Sequence, residues 1–125
     1  MLFRSKDQHF FVRDGHSYFF DGTNWYRVSI SLAGGSSQCP LELQWAFAIL
    51  PERLRQGRFT IQTDKTIGAH RTEGIQYVVH RAEVTITVTE WVDRATGLVI
   101  RAERVYHRGS VVVERDVADY TYSTG

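Results

Sequence analysis

Between Val84 and Tyr106 the chain alternates with the period of paired strands. In Val84-Thr85-Ile86-Thr87-Val88-Thr89-Glu90-Trp91 the aliphatic residues hold the even positions and threonines most of the odd ones. That is the pattern of an antiparallel strand with one dry and one wet face. Trp91-Val92-Asp93-Arg94-Ala95-Thr96-Gly97-Leu98 then supplies a turn. Asp93 and Thr96 are suited to hydrogen-bond nearby amides, and Gly97 to adopt a positive φ. Apolar residues return from Leu98 through Val99-Ile100-Arg101 to Tyr106. A one-residue slip would turn the aliphatic set to water, so residues 84–106 should form one hairpin with Asp93 to Gly97 at its turn.

The rest of the chain extends this pattern in both directions. Phe10-Phe11-Val12-Arg13, His16-Ser17-Tyr18-Phe19-Phe20 and Asn24-Trp25-Tyr26-Arg27-Val28 are separated by Asp14-Gly15 and Asp21-Gly22. An Asp-Gly pair between β-rich runs is a strong hairpin signal. Tyr26, Val28, Ile30 and Leu32 share one parity and continue an apolar face. Gly34-Gly35-Ser36-Ser37 reads as a loop between elements. Further on, Phe59-Thr60-Ile61-Gln62-Thr63 and Gly74-Ile75-Gln76-Tyr77-Val78-Val79-His80 read as strands joined by a turn through Asp64-Lys65 and Gly68. After Arg108-Gly109 comes Val111-Val112-Val113, and Glu114-Arg115-Asp116 suggests a bulge or bend before Asp119-Tyr120-Thr121-Tyr122.

One segment changes period. Cys39-Pro40-Leu41-Glu42-Leu43-Gln44-Trp45-Ala46-Phe47-Ala48-Ile49-Leu50 predicts a helix with Pro40 in its first turn. Pro51 should interrupt it or open a second short turn, and Gly57 should stop it. At 100° per residue, Leu41, Trp45, Ala48 and Ile49 fall on one side, with Leu43, Phe47 and Leu50 roughly opposite. A surface helix needs one apolar stripe, so the second must be covered by the chain, a partner subunit or an apolar ligand. The even residues of the Val84–Trp91 strand should face this helix. The fold class is therefore mainly β (α+β): one curved antiparallel sheet of about seven to nine strands with one helical segment packed on it.

A chain of 125 residues is one domain, 1–125, with surface burial of roughly 65% to support a single core. Fifteen Lys and Arg against fourteen Asp and Glu leave a net charge of +1, so no global field recruits nucleic acid. No window approaches the roughly 18 apolar residues of a transmembrane segment. Residues 1–30 lack the apolar run of a signal peptide, since Arg4, Lys6 and Asp7 follow Met1-Leu2-Phe3 at once. Cys39, the single cysteine, follows Ser36-Ser37-Gln38, which is no lipobox, and it has no intrachain disulfide partner.

Catalytic patterns are weak. His9, His16, His70, His80 and His107 show no close ligand spacing, and no Cys pair supports zinc. No nucleophile elbow, phosphate loop or dinucleotide fingerprint occurs. Neither a metal, a cofactor nor an enzymatic activity is expected. Cys39 at a helix start could have a lowered thiol pKa, against the plainer reading of a small residue near a helix cap. Glu90 continues the parity of Val84, Ile86 and Val88, so it is either a buried carboxylate on the inner face or a strand-end residue that surfaces. Arg53, Arg55 and Arg58 either meet a phosphate or anionic head group, or are cations favourable to a helix C-terminus.

The order of these pieces resembles the LolA/LppX family of bacterial lipid and lipoprotein carriers. In that family a glycine-turn hairpin leads into a Trp strand, a linker, a Pro-Leu helix and a strand pair. A Trp-x-Asp to Thr-Gly-Leu hairpin and a last strand with an Asp-Tyr-like step follow. Here the corresponding residues are Gly15, Trp25, Pro40-Leu41, Gly74, Trp91-Val92-Asp93 with Thr96-Gly97-Leu98, and Asp119-Tyr120. The resemblance covers the C-terminal two-thirds of such a domain; the family's N-terminal helix, first strands, signal peptide and lipobox have no counterpart. It implies a half-barrel around a helix, a cell-envelope location, and non-enzymatic carriage of a lipid or lipoprotein acyl chain; without an export signal, a complete chain would be cytoplasmic. On parity the inner face comprises Ile75, Tyr77, Val79, Ile86, Val88, Leu98 and Ile100, with Trp45, Phe47 and Ile49 as the lid. The same residues equally suit a plain core, and the same apolar face equally suits a protein-protein or homodimer interface without lipid.

Overall fold

The computed structural model describes residues 9–14, 16–32, 35–36 and 45–124. These form one antiparallel sheet of nine strands: β1 (His9–Arg13), β2 (His16–Phe20), β3 (Trp25–Leu32), β4 (Gly35–Ser36), β5 (Thr60–Ile67), β6 (His70–Arg81), β7 (Val84–Asp93), β8 (Val99–Arg108) and β9 (Val111–Ser123). The helix α1 opens with a π-helical turn, Trp45–Ile49, and continues as an α-helix, Leu50–Gln56. The sheet order is β1-β2-β3-β9-β8-β7-β6-β5, with β4 paired to β3 off this path. It is an open sheet with β1 and β5 at its edges.

Two meanders, β1–β3 and β5–β9, are joined by one long-range pairing. In it Arg27 to Leu32 of β3 run against Ser123 to Ala118 of β9. Because β5 lies at the far edge, the chain leaving the first meander must cross β9, β8, β7 and β6 to reach it. Helix α1 lies in that crossing. Phe47 stacks on Phe19 of β2 with ring centroids 4.4 Å apart and meets Tyr120 of β9 edge-on at 6.4 Å. Two residues earlier, the Trp45 carbonyl stands 3.2 Å from the Tyr77 hydroxyl of β6. Strands β2 and β6 stand five places apart in the order, roughly 24 Å across a flat sheet. Neighbouring helix residues reach both because the sheet curves around the helix.

The hairpin at 84–106 forms as its alternation predicts. Ile86 faces Tyr106, Val88 faces Arg104 and Glu90 faces Ala102, with Ile86, Val88 and Glu90 buried on the helix side. In the turn, the Asp93 N–H donates to the Leu98 carbonyl and the Gly97 N–H to the Asp93 carbonyl, both at 2.8 Å. The Asp93 carboxylate accepts from the Ala95 N–H at 3.1 Å and the Thr96 hydroxyl at 3.0 Å. Gly97 takes φ 78°, a left-handed conformation costly for any other residue.

Elsewhere the elements differ in detail from the sequence reading. Asp64-Lys65 is no turn: β5 runs through it with a bulge between Gln62 and Lys65, and the chain reverses at Gly68 and Ala69. The buried Thr72 hydroxyl donates to the carbonyl of Lys65, the residue at which pairing resumes after the bulge, at 2.6 Å. Strand β9 passes straight through Glu114-Arg115-Asp116; the register shift lies just before, where Tyr106 pairs with Glu114 and His107 with Val112. The turn between β2 and β3 spans Asp21 to Asn24, with the Asp21 carboxylate accepting the N–H groups of Thr23 and Asn24 at 2.8 and 2.7 Å.

The helix departs furthest. Its expected start at Cys39-Pro40, with Leu41 and Leu43, lies outside the described residues. Of the two readings of Pro51 the second holds: it does not interrupt the helix but opens the short α-helical segment, in whose first turn a missing N–H costs little. The π-turn before it winds by less than 100° per residue. Trp45, Ala46, Leu50 and Pro51 are therefore buried together at a spacing of five, that of the i→i+5 hydrogen bonds of a π-turn. Ala48 is exposed, and Phe47 and Ile49 form half-buried shoulders. Gly57 ends the helix at φ 68°, its N–H on the Leu54 carbonyl and that of Arg58 on the Arg53 carbonyl, a Schellman closure.

On the outer face Trp91 lies flat across Gly74, its opposite residue on β6. A Cβ at position 74 would stand 2.6 Å from the Trp91 ring and 2.9 Å from Gln62 Cβ. Lys65 covers the ring at 5.0 Å, and the indole N–H donates to Glu103 at 2.9 Å, so the ring has little freedom to retreat. Gly74→Ala is expected to cost about 1–3 kcal/mol of stability in urea unfolding. An unchanged midpoint would show that Trp91 can move aside.

Candidate functional site

The inner face of the sheet gathers the side chains that the sequence singles out. Trp45, Ile75, Tyr77, Val79, Ile86, Val88 and Leu98 belong to one buried apolar cluster, with Phe47 and Ile49 packed against it at its margin. Ile100 is buried but stands outside that cluster. A bulge pairs Trp91 with Arg101 and Val92 with Val99, so strict alternation fails between them and Val99 enters the cluster. Phe19, Val28, Ala102, Ala118 and Tyr120 complete the apolar face on the strands toward β2.

A chain of polar groups runs through this interior. Glu90 is fully buried, and its Oε2 accepts a hydrogen bond from the Tyr77 hydroxyl at 2.7 Å. The same hydroxyl stands 3.2 Å from the Trp45 carbonyl. Burial pushes the Glu90 carboxyl up to about 7, against the opposing effects of the Tyr77 hydrogen bond and the Arg104 charge. Burial, followed by the proximity of Glu90, likewise raises the Tyr77 and Tyr122 hydroxyls well above the usual phenol range. The Tyr122 hydroxyl donates to the Val99 carbonyl at 2.7 Å.

Arg104, opposite Val88, is the second charged group inside. Its side chain is 1% exposed, and its Nε donates to Asp116 at 2.6 Å. The Tyr106 hydroxyl donates to the other Asp116 oxygen at 3.1 Å. Trp45 lies between two guanidiniums, with Arg104 Cζ 5.7 Å and Arg81 Cζ 5.6 Å from its ring. Two buried atoms of this group, Trp45 Nε1 and Glu90 Oε1, have no hydrogen-bond partner among the described residues. A buried donor and a buried acceptor left open in an apolar setting are uncommon, because each costs desolvation energy without return.

Parity singled out Glu90 correctly as an inward residue. It also carried the signal for Arg104, which shares the parity of Ala102 and Tyr106, but a cation on that face reads as an exposed strand residue until Asp116 is known to lie opposite. A second polar pair was missed for a different reason. His70 Nδ1 lies 3.2 Å from the buried Asp93, on strands whose residues are 23 positions apart. Together with Ala69, Arg71, Arg94 and Ala95 they line an open groove of about 670 Å³ at one end of the sheet. His80 is exposed, its Nδ1 3.4 Å from the Thr85 hydroxyl. Cys39 lies outside the described residues.

Among the described residues no group of three His, Cys, Asp or Glu is placed to hold a metal ion. No described helix is long and apolar enough to cross a membrane. No family model, curated protein or solved structure matches the chain.

The Glu90 carboxyl has a measurable consequence. In the unfolded chain it ionises near its ordinary 4.5, whereas in the folded protein it keeps its proton to about 7. Between those values only the unfolded state has lost the proton, so stability falls as pH rises from about 4.5 to about 7 and is level above. A shift of that size corresponds to about 3 kcal/mol. Glu90→Gln keeps an acceptor for Tyr77 without the charge and should flatten the decline. Urea unfolding at pH 5 and pH 8 compares the two proteins; an equal decline in both would place its origin in other groups.

Proposed function

We propose that the protein binds a ligand with an apolar chain along the seam between α1 and the inner face of the sheet. One observation supports this best: the seam is bordered by apolar side chains that the protein covers only in part. Phe47, Ile49 and Leu54 on the helix are half-buried, as are Tyr26, Ile30, Tyr106 and Tyr122 on the sheet. Ile61 of β5, paired with Ile75 on the same face, is 53% exposed. An acyl chain laid there would gain roughly 0.8 kcal/mol for each methylene removed from water. Beneath the seam the buried Trp45 Nε1 and Glu90 Oε1, unpartnered among the described residues, would offer polar contacts to a ligand group that entered the cluster. On this reading the protein is a non-enzymatic carrier or sensor of lipid-like molecules, in keeping with the LolA/LppX-like order of its elements.

Ligand affinity measured over a series of straight-chain alcohols is expected to rise about fourfold per added methylene. Lipid extraction or native mass spectrometry of the purified protein should find bound amphiphile on a monomer. Phe47→Glu should weaken binding at least tenfold while leaving the β-sheet circular dichroism unchanged. A ligand-free dimer that buries the same face would reject the carrier reading in favour of a homodimer interface.

A further inference from the structure

Arg53, Arg55 and Arg58 crowd the end of α1, where cations commonly serve the helix dipole. The structure separates them. Arg55 is engaged by Glu52 on its own helix. The Arg53 and Leu54 carbonyls are already occupied by the Arg58 and Gly57 N–H groups, so those two accept backbone donors and not guanidiniums. Arg53 instead reaches across to β6, where its Nη2 donates to the Val78 carbonyl at 3.3 Å and its Cζ stands 6.0 Å from the Tyr77 ring centroid. No carboxylate among the described residues pairs with Arg53 or Arg58. Both line a groove of about 290 Å³ between the end of α1 and strands β5 and β6, and His80 is part of the same lining. The rest of its lining is Phe59, Thr60, Gln76, Tyr77 and Val78, without an acidic side chain.

We propose that this groove binds an oxyanion, a phosphate or carboxylate group, between the Arg53 and Arg58 guanidiniums with His80 as a third contact. Guanidinium forks match the planar edge of such groups and hold them by paired charge-assisted hydrogen bonds. A volume near 300 Å³ lies at the small end of ligand sites, room for a head group and a few attached carbons. Tyr77 ties the groove to the seam, since it lines the groove and its hydroxyl reaches Glu90 inside. The oxyanion therefore has two possible sources, the head group of an amphiphile whose tail follows the seam or a free phosphate. The first source rests on the apolar-ligand reading; the oxyanion site itself does not.

The test titrates inorganic phosphate into the isotope-labelled full chain at constant ionic strength, following arginine side-chain and histidine signals by NMR. Saturable shifts confined to Arg53, Arg58, His80 and their neighbours are expected. Arg58→Gln alters an exposed side chain without an ion pair among the described residues and should weaken binding at least fivefold without changing the melting temperature; Arg55→Gln should leave it unaltered. Absence of saturation, or equal losses in the Arg55 and Arg58 variants, would overturn the site. Dodecanoate and dodecanol, both below micelle formation, then separate the sources. Tighter binding of dodecanoate by tenfold, with the difference abolished in Arg58→Gln, identifies a head group. Phosphate binding with no binding of either dodecyl compound keeps the oxyanion site and rejects the apolar reading. Equal dodecyl binding without phosphate shifts does the reverse.

Discussion

Everything in this molecule depends on the pairing of β3 with β9. It joins the first strands of the described chain to the last, across about ninety residues of sequence, and without it the two meanders would be separate small sheets. Once it forms, β5 is fixed at the opposite edge, and the segment carrying α1 must span the sheet. The helix lies on the inner face because of that topology, whatever its own propensity. Short hairpins form locally and early, whereas this closure carries a loop-entropy cost that only the burial of the inner face repays.

The inner face is a buried apolar cluster with two ionisable groups, Glu90 and Arg104, set among its aliphatic side chains. Cores normally keep charge outside because desolvation exceeds the attraction recovered. Here Arg104 meets Asp116, which is partly exposed and so keeps some hydration, and Glu90 escapes the charge penalty by holding its proton to about 7. Trp45 packs against Arg104 and, through the Tyr77 hydroxyl, neighbours Glu90, and its placement follows from the π-turn that swings positions 45, 46, 50 and 51 onto one face. Straightening that turn into an α-helix would rotate Trp45 away from Tyr77 and Arg104. The polar interior and the irregular helix are in this sense one feature.

The strands were legible because they are governed by alternation, which needs only nearest neighbours. Val84 to Trp91 gave away its inner face residue by residue, and Asp93 and Gly97 their turn chemistry. Misread elements are those where one residue too many breaks the count. The bulge at Gln62–Lys65 put a polar pair inside a strand where it looks like a turn, and the bulge opposite Trp91 excluded Ile100 from the cluster that strict parity would place it in. Helix period failed likewise, since 100° per residue cannot reveal a π-turn, and Ala48 was assigned to a buried stripe it does not join. Site residues such as Arg104 with Asp116 or His70 with Asp93 pair across strands, and no local pattern reports a partner whose register is set by distant closure.

The curvature of the sheet around the helix also decides how much of the inner face is covered. A flat sheet of this width would leave most of its face open to water and prone to association. Wrapped around α1, the face is reduced to a rim of half-buried rings and aliphatic groups on either side of the helix. At the end of the helix it runs into the Arg53–Arg58–His80 groove through Tyr77, a single residue shared by the apolar seam, the buried carboxyl and the cationic groove. A ligand that spans all three would be read for chain length by the seam and for charge by the groove.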